Sequence, residues 1–123
     1  MIQIDPRSPV PINDQIKAAV RGLVAKGLLR PGDQAPSIRS LAERLRVNPN
    51  TVARAFRELS LEGVLETRKG EGNYVATQAV RFAKSGFGPL SQGLREALSL
   101  ARRGGLGWDE IEAVVEKARE EES

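Results

Sequence analysis

The segment VNPNTVARAF, residues 47–56, is rich in side chains that can hydrogen-bond to nucleic acid. At about 100° per residue in a helix, Asn50, Thr51 and Arg54 fall on one face. Arginine can bond two acceptors of guanine, asparagine can bond adenine bidentately, and threonine offers a hydroxyl and a methyl group. The free N–H groups of a helix start also attract phosphate. This face therefore predicts contact with DNA.

A helix must carry this face. Asn48 followed by Pro49 is the pairing favoured at a helix start, and Gly63 would end the helix, which is therefore predicted over residues 49–62. Its opposite face is apolar and is expected in the core: Val52, Ala55, Phe56 and Leu59. The polar face continues at Arg57–Glu58, two charged residues of a kind that is more often simply solvated.

Two further helices precede this one. Apolar residues at helical spacing predict a helix from Ile12 to about Gly27. Ser37 can cap a short second helix, and Arg46 to Asn48 leave room only for a turn. Helix, short helix, tight turn and helix is the order of a helix-turn-helix, in which the second helix of the motif enters the major groove.

A β-hairpin follows the third helix. The segments VLETR (64–68) and NYVAT (73–77) suit strands, and the glycine-containing KGEG between them suits the turn. The predicted fold is therefore mainly α with a small β-hairpin, a winged helix-turn-helix. Basic side chains at the wing (68–73) could reach a minor groove or the DNA backbone, and its glycines would allow a close approach: Arg68, Lys69, Gly70 and Gly72.

Composition narrows the function further. The 123 residues include no cysteine and no histidine, so thiolate metal sites and the commonest general base are absent, and we expect no enzyme, no metal and no cofactor. Residues 1–77 carry a net charge of +4 and residues 78–123 a net charge of −1, which hints at a polyanionic partner for the first part. No signal peptide or membrane span is evident, so a cytoplasmic protein is expected.

The segments PINDQI (11–16) and GLLRPGDQAPSIRSLAERLRVNPNTVARAFRELSLEGVLETRKGEGNYV (27–75) resemble the GntR family of bacterial transcription regulators. The resemblance covers about residues 1–77. In that family the arginine of a P-S-x-R motif, the start of the recognition helix and a glycine wing touch DNA. The resemblance extends these roles to Ser37, Arg39, Asn48, Asn50, Thr51, Lys69, Gly70 and Gly72. Some members carry a basic residue in place of Pro49 and an arginine in place of Ala53, and we expect Arg54 to take over here.

The resulting DNA-binding prediction joins the second helix, the recognition helix (49–62) and the wing (68–73). Its residues are Ser37, Arg39, Arg44, Asn48, Asn50, Thr51, Arg54, Arg57, Arg68, Lys69, Gly70 and Gly72.

The remaining residues, 78–123, predict a helical tail. Its length is similar to the YtrA-like branch of the family, whose tail is a pair of helices used for dimerisation. Two apolar stripes would form the interface: Leu90, Leu94, Leu98 and Ala101, then Trp108, Ile111, Val114, Val115 and Ala118. SGFGPL (85–90) predicts a kink, break or hinge, so residues 79–104 could form one kinked helix or two. Phe82 and Phe87 could join the dimer core, which we favour, or line a ligand site.

These features predict a sequence-specific transcription regulator, a homodimeric repressor on a palindromic operator with half-sites about 34 Å apart. An unidentified small-molecule effector could act by changing the angle between the two winged helix-turn-helix domains of the dimer. One alternative is a nonspecific architectural DNA-binding protein, which would bind any duplex with a steep salt dependence. Another is an adaptor whose winged helix no longer binds DNA.

Overall fold

The computed structural model describes residues 2–122. In these residues the helices are α1 (Ile12–Ala25), α2 (Ile38–Leu45), α3 (Pro49–Leu61), α4 (Ala79–Lys84), α5 (Phe87–Arg103) and α6 (Trp108–Glu122). The strands are β1 (Leu65–Arg68) and β2 (Gly72–Val75), between α3 and α4. The predicted class, mainly helical with a small hairpin, is confirmed. The chain divides into two compact units, one ending at Ser85 and one beginning at Gly86.

The helix-turn-helix is held by local caps. The Ser37 hydroxyl accepts the Ser40 N–H at 3.1 Å at the start of α2, and the Asn48 side chain accepts the Asn50 N–H at 2.8 Å at the start of α3. Both caps agree with the sequence prediction, as does Pro49 in the first turn. Arg46 ends α2 in the left-handed conformation, with a φ of 58°. The turn between the helices is therefore tight and defined by hydrogen bonds.

The core lies between α1, α2, α3 and the hairpin. The apolar face of α3 is buried as predicted, namely Val52, Ala55, Phe56 and Leu59. Facing it are Ile16, Val20 and Val24 of α1, Leu41 and Ala42 of α2, and Val64, Leu65 and Val75 around the hairpin. Because burial of each valine, leucine, isoleucine or phenylalanine among these stabilises the fold by about 1.5–3 kcal/mol, the orientation of α3 is set by its packing.

The hairpin gains a second partner from the loop before α2. β1 and β2 pair antiparallel, with Leu65 opposite Val75 and Arg68 opposite Gly72. On the other edge of β2, the Ala35 N–H donates to the Asn73 carbonyl and the Val75 N–H donates to the Asp33 carbonyl, each at 2.8 Å. The backbone of β2 is thus bonded on both sides, and the wing has a fixed base.

The first compact unit extends past the domain boundary that the sequence suggested at residue 77. Ala79 and Ala83 of α4 are buried in the same core as α1, which explains why α4 belongs with the winged helix. The Phe82 ring lies beside Gly63, which follows α3, so Phe82 has a packing partner within the first unit. A Cβ added to Gly63 would lie 2.7 Å from Cδ2 of the Phe82 ring.

Gly63→Ala is therefore expected to destabilise the protein more than Gly27→Ala. Both glycines have positive φ, 84° and 78°, so each substitution costs about 1–2 kcal/mol of backbone strain. Only at Gly63 does the new methyl group also displace a ring, since no atom lies within 4 Å of a Cβ at Gly27. Urea unfolding of both variants measures the difference. Equal losses of unfolding free energy would contradict the Phe82 contact.

The second unit contains α5 and α6. Residues 79–104 form two helices, because α4 ends at Lys84 and α5 begins at Phe87. Gly88 and Pro89 fall within the first turn of α5, where proline is tolerated, so the break lies just before them. The Gly107 N–H donates to Glu110 Oε1 at 3.2 Å, which caps the start of α6. Over residues 2–122, no helix is long and apolar enough to cross a membrane.

Candidate nucleic-acid interface

The predicted DNA-reading side chains of α3 line one open cleft. Asn48, Asn50, Thr51 and Arg54 form one side of it, and Ile12 and Asn13 at the start of α1 form the other. All six side chains are at least partly exposed. The structure thus brings four of the predicted residues together, in the first two turns of α3 and its cap. Asn13 was not predicted, because its place depends on how α1 packs against α3.

Glu58 connects this cleft to α1. Its Oε2 accepts a hydrogen bond from Asn13 Nδ2 at 2.8 Å and lies 3.7 Å from Arg54 Nε. Its Oε1 lies 3.6 Å from Lys17 Nζ. The Glu58 side chain is only 33% exposed, whereas Arg54 is 69% exposed. Glu58 is therefore not the simply solvated residue that the sequence suggested.

Two more ion pairs meet at Glu62, the C-cap residue of α3, about one turn beyond Glu58. Lys17 Nζ is 2.6 Å from Glu62 Oε2, and Arg21 Nη2 is 3.1 Å from Glu62 Oε1. Burial alone would raise the pKa of Glu62, but the hydrogen bond from Lys17 and the positive charges of Arg21 and Lys17 outweigh it and lower this pKa below its ordinary value of 4.5. Glu62 thus remains charged beside the buried Lys17.

Glu62→Gln should reduce the acid sensitivity of folding. Because the pKa of Glu62 is lower in the folded state, its carboxylate stabilises the fold at pH above 4.5, and this contribution is lost as pH falls through the folded pKa. Wild type should therefore exceed Glu62→Gln in unfolding free energy at pH 7, and the gap should narrow towards pH 3. Denaturant unfolding across this range, with Glu43→Gln at an exposed site of α2 as the control, tests it. A gap that does not change with pH would contradict the ion pair.

The other predicted cations lie around the cleft, not in it. Arg39 is exposed on the first turn of α2, and Arg44 lines a separate opening beside the N-terminal segment with Ile4 and Pro6. Arg57 borders a groove between α3 and the wing, together with Ala53. The position at which some family members carry an arginine, Ala53, therefore faces this groove.

The wing presents its predicted residues unequally. Lys69 is exposed at the tip, and Gly70 and Gly72 have φ angles of 77° and 106°, which the turn requires. Arg68 Nη2 lies 2.9 Å from Glu66 Oε1, and its guanidinium lies 3.9 Å from the centroid of the Tyr74 ring. Arg68 is thus bound to its own hairpin, and Lys69 is the cation that projects from the tip.

The predicted interface residues of the tail lie mostly on one surface, which we call the apolar groove. It is lined by Leu94, Ala97, Leu98, Ala101, Leu106, Ile111, Val114 and Val115. Six of the predicted interface residues are among them, while Leu90, Trp108 and Ala118 are exposed outside it. The Arg102 guanidinium lies 4.7 Å from the centroid of the Trp108 ring. Trp108 thus already has a cationic partner within the chain.

Comparison with curated sequences identifies relatives among transcription regulators. The chain is 49% identical over 79 residues to the HTH-type transcriptional repressor YtrA of Bacillus subtilis (strain 168). The match includes 64% of this chain but only 61% of that relative's length. Such relatives are named as transcription regulators, which agrees with the prediction that the chain is not an enzyme.

Solved structures share the fold. A structure described as a transcriptional antiterminator from Listeria monocytogenes EGD-e has a TM-score of 0.72 and 32% identity, over 97% of this chain and 90% of that one. The AraR DNA-binding domain in complex with operator ORX1 has a TM-score of 0.55 and 25% identity, over 59% of this chain and 90% of that one. The family model described as bacterial regulatory proteins, gntR family, matches residues 12–75 of this chain. The chain belongs to the GntR family.

Proposed function

We propose that this GntR-family chain is a sequence-specific transcription repressor that binds a palindromic operator as a homodimer. The observation that carries the proposal is the open cleft that Asn48, Asn50, Thr51 and Arg54 line together at the start of α3. Side chains of these types discriminate bases, and their position at the start of the second helix of a helix-turn-helix is the one that reaches base edges. The chain carries neither histidine nor cysteine for a competing catalytic role.

In the proposed complex the three parts of the winged helix have different tasks. The start of α3 reads bases in the major groove, while Arg39 and Arg44 of α2, with its cap Ser37, contact the DNA beside it. Arg57 lies at the groove between α3 and the wing. Lys69 at the tip approaches the minor groove or the backbone, and Arg68 supports the wing through Glu66 and Tyr74. This division is supported by the exposure of the cations and by the fixed base of the hairpin.

The dimer is supported by the apolar groove of the second unit. Leu94, Val114 and Val115 are 63%, 64% and 49% exposed. Among the described residues of this unit, Ile111 is the one apolar side chain that is buried. A unit of this size buries too little apolar surface to be stable alone, so a second copy of α5 and α6 is the proposed cover. A two-fold pair would match a palindromic operator, with half-sites about 34 Å apart.

Repression and location complete the proposal. The relative from Bacillus subtilis is named a repressor, and we extend this sign of regulation to the present chain. A cytoplasmic location follows from the proposed DNA partner. A small-molecule effector would act by changing the angle between the two winged helices of the dimer. Metabolites can be screened for this effect by measuring their influence on operator binding.

The test is a competition between two duplexes of equal length, one from upstream of the protein's own gene and one of random sequence. At about 150 mM salt, nonspecific binding typically has a Kd of about 10⁻⁴–10⁻⁶ M. We expect a preference of about a thousandfold or more for the upstream duplex. Similar affinity for both would indicate an architectural protein, and no binding of either duplex would indicate the adaptor.

A further inference from the structure

We propose that Glu58, held by Asn13 of α1, is a positioning residue that sets the base preference of Arg54. This inference rests on the proposed function, because it takes Arg54 to be a base-reading residue. It adds a part of α1 to the recognition machinery of α3.

The geometry around Glu58 is asymmetric. Its Oε2 faces both the Asn13 amide, at 2.8 Å, and Arg54 Nε, at 3.7 Å. Its Oε1 faces Lys17 Nζ at 3.6 Å. Asn13 and Lys17 of α1 each contact one oxygen of the Glu58 carboxylate. Arg54 lies one turn earlier on α3, on the side of the carboxylate that faces the cleft. The orientation of Glu58 is therefore set by a different helix from the one that carries Arg54.

An exposed arginine samples many rotamers, and binding must select one of them. A fixed carboxylate beside Nε restricts these rotamers while leaving the terminal nitrogens, which bond to guanine, available. Arg54 is 69% exposed, so it has the freedom that such a contact would reduce. Arg54 and Asn13 also line the same cleft, so α1 contributes to the surface that carries the proposed reading side chains.

A merely structural role for Glu58 predicts a different result, and Glu62 provides the matched control. Both carboxylates face Lys17, and Glu62 is the closer, at 2.6 Å against 3.6 Å. Glu62 pairs with Lys17 and Arg21, whereas Glu58 faces Arg54. If Glu58 serves only to join α1 to α3, Glu58→Gln and Glu62→Gln should have the same kind of effect.

The experiment is selection from a library of randomised duplexes by the full-length wild type and by Arg54→Ala, Glu58→Gln, Asn13→Ala and Glu62→Gln. Arg54→Ala should lower the preference at particular base pairs by roughly 5- to 150-fold, the range of one base contact. Glu58→Gln and Asn13→Ala should lower it at the same base pairs, by about threefold or more, and Glu58→Gln should add little to Arg54→Ala in the double variant. Glu62→Gln should leave the preference unchanged although it lowers stability.

Other outcomes distinguish a failure of the proposed base-reading role of Arg54 from a failure of the positioning role of Glu58. If Arg54→Ala leaves the preference unchanged, Arg54 does not read bases, and this part of the proposed function fails together with the inference. If Arg54→Ala changes the preference but Glu58→Gln and Asn13→Ala do not, only the positioning role is overturned. A change at base pairs that Arg54 does not affect overturns it as well. Because Asn13→Ala leaves every carboxylate in place, it keeps the test valid if Glu58→Gln unfolds.

Discussion

Leu94→Glu is expected to convert the proposed dimer to a monomer and to weaken operator binding by about a hundredfold or more. Leu94 lines the apolar groove and is 63% exposed in the single chain. A charged side chain there would have to be buried in the dimer without a partner, which strongly disfavours association. A monomer binds one half-site only, so it loses the additional affinity that comes from linking two DNA-binding domains. Sedimentation and band-shift titration measure the two effects.

Leu100→Glu is the matched control for this prediction. Leu100 lies on α5 as well and is 70% exposed, but it does not line the apolar groove. The same change of charge and size at this position should leave the protein dimeric. A Leu100→Glu variant that is monomeric, beside a Leu94→Glu variant that stays dimeric, would move the interface to the other face of α5.

Arg39→Ala is the second substitution with a large expected effect. Arg39 is exposed on the first turn of α2, at the arginine position of the P-S-x-R motif, and its loss should cost about 1–3 kcal/mol at each half-site. Because the proposed homodimer would make this contact twice, the expected total is about 2–6 kcal/mol, roughly 30-fold to 10⁴-fold in operator affinity. Band-shift titration of the operator should show almost no complex at concentrations that saturate the wild type.

Lys26→Ala removes one exposed positive charge without removing a proposed contact. Lys26 follows α1 at the end where Arg21 meets Glu62, away from the cleft at the start of α3. It should lower operator affinity only slightly, through the general attraction between cation and DNA, which salt screens. Equal losses for Lys26→Ala and Arg39→Ala at physiological salt would indicate that Arg39 acts by charge alone.

The sequence predicts well those features that depend on neighbouring residues. Ser37 and Asn48 cap their helices through backbone groups only two or three residues away, so the pattern of residue types is sufficient. The buried face of α3 follows from helical periodicity in the same way. These two signals were enough to locate α3 within a residue and to name the four side chains of α3 and its cap that line the cleft.

Features that depend on distant residues were missed. Asn13 meets Glu58 only because α1 packs along α3, and no local pattern indicates this pairing. The docking of α4 escaped prediction for a similar reason, since its six residues are too few to show a clear apolar stripe. Pro89 did predict a break, but it lies in the first turn of α5, where its ring is tolerated, so the helix boundary falls just before it.

The double pairing of β2 constrains how the wing can vary in length. One edge of β2 joins β1, and the other joins residues 33–35, a loop that lies before α2. An insertion between Arg68 and Gly72 would lengthen only the tip. An insertion in the loop would shift its register with β2 by one residue and turn alternate side chains to the opposite face. Mutations that extend or shorten the wing should therefore be tolerated at its turn and selected against in the loop.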